Sequence, residues 1–114
     1  MKQVMNVEFL ADDMVNIEYG GKKNSIEKKQ LLNSFYDDIF KKGYIVGNDI
    51  HRQDVGEFIY YQFYYFDGTN SQNVWFQVPK EDLSSIHFID QVISEIEKEQ
   101  QLPDIIFDDE SKNQ

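Results

Sequence analysis

The two histidines are the first side chains to consider for metal binding or acid–base chemistry, because the chain contains no cysteine. The spacing Asp49-x-His51-x-x-Asp54 can be drawn as a metal site, which requires three or four ligands in a defined geometry. Asp and Asn are ordinary turn formers, so a turn is the simpler interpretation of this stretch. His87 lies early in a predicted helix beside its apolar stripe, which is typical of a surface or boundary histidine. We therefore expect no metal ion and no cofactor.

The patterns of common catalytic centres are missing from the sequence. It has no Gly-x-Ser-x-Gly motif and no complete glycine-rich phosphate-binding loop. The run Gly20-Gly21-Lys22-Lys23 precedes a predicted helix and could bind an anion there, but a strand-to-helix turn explains it better. The carboxylates at 12–13, 37–38 and 108–110 have no feature that sets one apart as a general acid or base. We therefore predict that the protein is not an enzyme.

The segment from Phe58 to Phe66 is the most informative part of the chain, because seven of its nine residues are Tyr or Phe. Side chains alternate across a strand, so aromatic rings stand on both faces. One face carries Ile59, Tyr61, Phe63 and Tyr65, and the other carries Phe58, Tyr60, Tyr64 and Phe66. One set can pack under helices, and the other must meet solvent, another layer or a partner. Aromatic residues favour strands in any case, so the second set need not have a function. Three alternatives remain for it: the N-terminal hairpin or the tail covers it, it forms a protein interface, or it forms a platform that stacks a ligand or a base.

The composition indicates one soluble domain. The chain has 114 residues, of which 40% are hydrophobic and 15% aromatic, which is enough for a real core. A disulfide scaffold is excluded without cysteine. No apolar run is long enough to span a membrane, and the first residues do not form a signal peptide. We therefore expect a cytoplasmic location.

The charge balance narrows the class of partner. Lys and Arg number 11 against 21 Asp and Glu, for a formal net charge of −10. A nucleic-acid binder needs a basic surface, and an anionic membrane attracts one, so we expect neither nucleic acid nor membrane as a partner. An acidic protein can be steered toward a basic protein. The charge can equally serve only to keep the protein in solution.

Periodicity predicts the order β-β-α-β-β-β-α. The predicted elements are strands at 4–10 and 14–19, a helix at 25–42 with Asn24 and Glu27 in capping-box spacing, strands at 44–46, 57–66 and 72–78, and a helix from about 82 to 100. Residues 50–52 can continue the strand at 44–46, and 53–56 are predicted as a turn. This order favours an α+β fold with two layers, in which two helices cover one face of a single, mainly antiparallel sheet of four to five strands. Residues 1–103 are predicted to form the domain and 104–114 an acidic C-terminal tail, whose Ile105-Ile106-Phe107 can dock on a partner or pack on the domain.

Several segments occur in an order seen in a known family. They are the helix with Phe35-Tyr36-Asp37-Asp38-Ile39, the strand Glu57-Phe58-Ile59-Tyr60-Tyr61, the Asp67-Gly68 turn, the strand into Val78-Pro79-Lys80-Glu81, and the acidic helix that follows. Over residues 25–100 the chain thus resembles the YezG/EsaG-type immunity family of antitoxins, which neutralise secreted bacterial nuclease toxins. It differs by starting with a strand pair where the family has a long helix. The resemblance implies a cytoplasmic bacterial protein that binds and masks a basic toxin domain.

The leading hypothesis is therefore a small acidic immunity or inhibitor protein that binds a basic partner, possibly a nuclease toxin. We predict Tyr60, Tyr64 and Trp75 as interface anchors, and Glu57, Asp54 and Asp67 as rim charges. If Tyr60 and Tyr64 face the helices instead, Tyr61 and Tyr65 take their place. The alternative is a self-associating structural or adaptor protein of phage or secretion-system origin, in which the aromatic strand forms a homodimer seam.

Overall fold

The computed structural model describes residues 2–46 and 50–99, and these ranges contain seven strands and two helices. In chain order the elements are β1 (Lys2–Phe9), β2 (Met14–Tyr19), β3 (Lys22–Glu27), α1 (Lys28–Phe40), β4 (Ile45–Val46), β5 (His51–Val55), β6 (Phe58–Phe66), β7 (Ser71–Pro79) and α2 (Leu83–Glu99). Two parts of the predictions lie outside the described residues, namely the acidic tail at 104–114 and Asp49 of the metal-site spacing Asp49-x-His51-x-x-Asp54. The described part of the chain has no helix long and apolar enough to cross a membrane.

All seven strands belong to one sheet, with the order β3-β2-β1-β7-β6-β4 and with β5 also paired to β6. The pairing of β1 with β7 is parallel, and every other described pairing is antiparallel. The predicted α+β class and the mainly antiparallel sheet are thus confirmed. The predicted number of four to five strands is wrong, because the sheet is larger and mixed.

The strand β3 replaces the predicted start of the first helix. Gly20 and Gly21 have φ of +61° and +80°, and a two-residue turn with positive φ at both positions reverses the chain into a second hairpin. The predicted capping box is wrong, because Asn24 pairs with Ile17 in the sheet. The N-cap of α1 is Glu27, which makes no side-chain capping hydrogen bond.

The strand β5, like β3, results from a short hairpin with a glycine in its turn. The predicted turn at 53–56 is wrong, because residues 53–55 pair with β6 and the reversal occurs at Gly56 and Glu57. Gly56 has a φ of +60°, which a residue with a side chain rarely adopts. Both missed strands therefore follow from short hairpins rather than from β-propensity.

The core lies between the two helices and one face of the sheet. Phe35 of α1 packs against Phe63 of β6 and Phe76 of β7, with ring centroids 4.9 Å and 5.2 Å apart. Every second residue of β6 is buried, as strand alternation requires, in the set Ile59, Tyr61, Phe63 and Tyr65. The other side of this core consists of Leu31, Leu32, Phe35 and Ile39 of α1 and Ile89, Val92 and Ile96 of α2. Leu83, predicted as the first residue of the apolar stripe of α2, is 72% exposed instead.

Lys28 fastens the ends of three elements to one another. Its Nζ donates to the carbonyl oxygen of Leu10 at 2.9 Å and to Oδ2 of Asp82 at 2.8 Å. Asp82 precedes α2, and its Oδ1 accepts a hydrogen bond from the backbone N–H of Ser85 at 3.3 Å, which is an N-cap interaction. The first residue of α1 is therefore tied both to the β1–β2 turn and to the start of α2.

Candidate binding surface

We call the face of the sheet opposite the helices the open face. Two aligned rows of side chains run across it. Cross-strand pairing puts six residues in register in each row, from β3 through β2, β1, β7 and β6 to β5. The first row is Lys23, Glu18, Asn6, Trp75, Gln62 and His51, and the second is Ser25, Asn16, Glu8, Gln77, Tyr60 and Gln53. Amide and aromatic side chains dominate both rows, and charged groups are few.

The three predicted anchors all lie on this open face. Trp75 is 39% exposed, and Tyr60 and Tyr64 are half-buried. Tyr61 and Tyr65 point toward the helices and are buried, so the alternative pair of anchors is excluded as an exposed surface. Strand alternation and the two helices above β6 decide this orientation.

Side-chain hydrogen bonds within β6 and between neighbouring strands order parts of the open face. The Nε2 atom of Gln62 donates to Oη of Tyr64 at 2.6 Å and lies 3.3 Å from Oδ1 of Asn73. Asn73 is directly opposite Tyr64 in the register of β6 and β7. On the other side of the face, Oγ of Ser25 donates to Oδ1 of Asn16 at 2.7 Å. These bonds hold polar side chains in place before any partner binds.

Exposed apolar side chains concentrate on the same face. Among the described residues six large hydrophobic side chains are exposed, and four of these belong to the open face, namely Val4, Val55, Phe66 and Trp75. These four side chains are spread over β1, β5, β6 and β7, with Val55 and Phe66 near opposite ends of β6, so they do not form one contiguous apolar patch.

A shallow depression of about 600 Å³ crosses the open face over β1, β2, β3, β6 and β7. Trp75 and Tyr60 lie on one side of it, and Glu8 and Glu18 on the other. The anchor prediction did not include these two carboxylates. The alternation of polar residues at Asn6 and Glu8, and at Asn16 and Glu18, is the sequence signal that could have found them.

The three predicted rim charges do not gather around the anchors. Asp54 lies on the helix-facing side of β5, opposite Ile59, and its Oδ1 lies 2.9 Å from NH1 of Arg52. Glu57 sits in the turn before β6, and Asp67 follows the end of that strand. Because nine residues of an extended strand separate the two, they lie about 30 Å apart.

Asp67 has a local structural role. Its Oδ1 accepts hydrogen bonds from the backbone N–H groups of Asn70 at 2.8 Å and Thr69 at 2.9 Å. These bonds lower the pKa of the Asp67 carboxyl below its ordinary value. The predicted Asp67-Gly68 hairpin loop is confirmed, and Gly68 has a φ of +101°.

A charged network lies on the helix side of the sheet. The Tyr61 hydroxyl donates to Oδ1 of Asp90 at 2.9 Å, and Nε of Arg52 lies 3.3 Å from the same oxygen. The Arg52 guanidinium also lies 5.8 Å from the centroid of the Tyr61 ring. Burial, reinforced by Asp90, raises the pKa of Tyr61 to about 12. The network fastens β5 to α2.

Within the described residues, no three His, Asp or Glu side chains are grouped so as to hold a metal ion. The Asp54 carboxylate of the drawn site is paired with Arg52 instead. His87 is exposed on α2.

The chain was compared with family models, with curated proteins and with solved structures, and no match was found.

Proposed function

We propose that the protein is a small non-enzymatic binding protein, of the immunity or inhibitor kind, that uses the open face to bind and mask a basic protein partner. The observation that carries the proposal is the position of Trp75 and Tyr60 among amide side chains in the two rows, with Tyr64 on the same face, on a side of the sheet that no described element covers. Aromatic side chains of this kind supply most of the energy of protein interfaces.

The composition of the open face supports a protein partner. Tyr and Trp give large, rigid contact areas at a low cost in side-chain entropy, and Asn and Ser give adaptable hydrogen bonds. Antibody paratopes combine the same residue types. The hydrogen bonds around Gln62 and Asn16 reduce the entropy that binding would cost.

The charge supports a basic partner. The formal net charge is −10, and long-range attraction of this kind raises the rate of association with a cationic protein. The resemblance to the YezG/EsaG-type family leads to the same class of partner, with a nuclease toxin as the natural candidate and the bacterial cytoplasm as the site of action.

The exposed apolar residues of the open face favour a second candidate function. Two copies could bury Val4, Val55, Phe66 and Trp75 against each other around a two-fold axis, as a self-associating structural or adaptor protein would. Like charges on two copies oppose this arrangement, so it ranks below a basic partner.

Capture of partners from a lysate of the source cells tests the proposal. The tagged protein, a Tyr60→Ala/Trp75→Ala variant and a Leu83→Ala control are compared at low and high salt. Leu83 is 72% exposed on α2, outside the open face, so its loss controls for the removal of exposed apolar surface. Light scattering on each purified protein gives the oligomeric state.

We expect the wild type and the control to recover a basic protein, identified by mass spectrometry, and the double variant to lose it. Removal of two anchors should weaken binding by at least about thirtyfold. High salt should reduce recovery by slowing association. Equal recovery by all three proteins would refute a role for the open face. A dimer that only the double variant disrupts, with no basic partner, would favour self-association.

A further inference from the structure

We infer that Trp75, Tyr60 and Glu8 form a site for one arginine side chain of the partner, an inference that rests on the proposed function. Glu8 and Gln77 are in register on β1 and β7, and Gln77 is in turn opposite Tyr60 on β6. Trp75 is the diagonal neighbour of both Glu8 and Tyr60. Residues in these positions lie about 7–10 Å apart, so a carboxylate and two aromatic rings surround the side chain of Gln77.

The surroundings of Glu8 leave its carboxylate available. Glu8 is exposed, and its neighbours in register are the neutral side chains Asn16 and Gln77. No residue in the described part of the chain forms an ion pair with it. Glu18, the other carboxylate of the depression, is directly opposite Lys23, which offsets its charge. Glu8 is thus the group on this face best placed to attract a cation.

The chemistry of the site favours arginine over lysine. A planar guanidinium can stack on an aromatic ring while its N–H groups bond a carboxylate, whereas an ammonium group is a compact and strongly hydrated point charge. The chain uses the same combination on its other face, where Arg52 lies over the Tyr61 ring and pairs with Asp54 and Asp90. A positively charged occupant also agrees with the net charge of the protein.

Small-molecule titrations test the site without the partner. N-acetyl-arginine amide is titrated into the ¹⁵N-labelled protein, and the indole N–H signal of Trp75, the single tryptophan of the chain, reports binding. The lysine derivative has the same charge and controls for ionic strength. The citrulline derivative has nearly the same shape as arginine and no charge.

We expect saturable shifts of the Trp75 indole and of the amides of residues 8, 60 and 77 with arginine, and much weaker shifts with the other two compounds. Glu8→Gln should weaken arginine binding about two- to fivefold, the range for a contact at an exposed site. Glu97→Gln makes the same charge change on the exposed surface of α2 and should leave binding unchanged.

Three results would overturn the arginine site: no saturable shift, equal binding of the citrulline or lysine derivative, or equal effects of Glu8→Gln and Glu97→Gln. If arginine fails to bind but the open-face double variant still loses a captured basic protein, the arginine site is wrong and the proposed function stands. If arginine binds and capture finds no partner that depends on the open face, the proposed function fails instead.

Discussion

Replacement of Lys28 by Met should destabilise the protein by about 2–3 kcal/mol. Met keeps a flexible apolar stem of similar length and removes the ammonium group that lies 2.8 Å from Oδ2 of Asp82 and 2.9 Å from the carbonyl oxygen of Leu10. The carboxylate of Asp82 is then left poorly solvated and without its cation, because the two side chains are only 12% and 15% exposed. Loss of one partner from such a pair costs more than the pair itself contributes.

The magnitude follows from the geometry. A hydrogen bond to a charged group contributes about 1.5–3 kcal/mol, and loss of one partner of a fully buried pair costs about 3–5 kcal/mol. The residual exposure of both groups favours the lower end of the second range. Asp82→Asn should cost about 2 kcal/mol, because an Asn oxygen can still cap α2 through the Ser85 N–H.

The double variant Lys28→Met/Asp82→Asn, compared with the two single variants, measures the interaction energy between Lys28 and Asp82. Since neither charge is left uncompensated, its cost should be lower than the sum of the two single costs by about 1–2 kcal/mol. The assay is chemical denaturation at neutral pH, followed by circular dichroism. Strictly additive costs, or a cost below about 1 kcal/mol for Lys28→Met, would refute the reasoning, since exposed ion pairs contribute no more than about 1 kcal/mol.

The same pair predicts a pH dependence. Burial alone would raise the pKa of Asp82, but hydrogen bonds from Lys28 and Ser85 outweigh it and lower the pKa below 3.8. A lowered folded-state pKa means that the stability from Asp82 is present above the unfolded value and is lost as the pH falls through the folded value. The difference between wild type and Lys28→Met should therefore shrink below about pH 4.

Three further substitutions on β6 test the two faces of the sheet and the Tyr61–Asp90 contact. Phe63→Ala should lower the free energy of unfolding by about 3–5 kcal/mol, because Phe63 is fully buried against Phe35 and Phe76. Phe66→Ala, on the open face of the same strand, should lower it by less than about 1 kcal/mol. Similar costs for the two variants would contradict the orientation of β6. Tyr61→Phe removes the hydrogen bond to Asp90 and should cost about 1 kcal/mol. Because the folded pKa of Tyr61 is raised from 10.0 to about 12, wild type should lose stability as the pH rises from 10 to 12, and Tyr61→Phe should lose less over that range.

The local features of the fold could be predicted from the sequence, because they depend on periodicity. Helical spacing predicts an apolar stripe on α1 at Leu31, Leu32, Phe35, Tyr36, Ile39 and Phe40. The structure buries Leu31, Leu32, Phe35 and Ile39 and leaves Tyr36 and Phe40 half-buried. Alternation predicts two sets of side chains on β6, and the structure buries one of them. The sequence leaves open which set of β6 lies under the helices, because both sets contain several aromatic residues. Gln62 lies in the same set as Tyr60 and Tyr64, and a central glutamine favours the exposed side.

The strands β3 and β5 could not be predicted from propensity. Their sequences are Lys-Lys-Asn-Ser-Ile-Glu and His-Arg-Gln-Asp-Val, which are poor in the β-branched and aromatic residues that favour strands. Each follows or precedes a short glycine turn and pairs with a better strand beside it. At the edges of a sheet the charged residues are useful in themselves, because they oppose pairing with other chains.

The candidate site depends on a contact that has no local signal at all. Asn6 and Glu8 reach Trp75 and Gln77 only because β1 pairs in parallel with β7, and the paired residues are 69 positions apart in the chain. This pairing joins the β1–β2–β3 hairpins to the β5–β6–β7 hairpins, and the arginine site lies directly on it. The Lys28–Asp82 pair joins the same two halves on the helix side. Loss of that pair should therefore lower the population of chains in which Glu8 and Trp75 are neighbours, so the stability of the fold and the geometry of the site depend on the same pairing of distant segments.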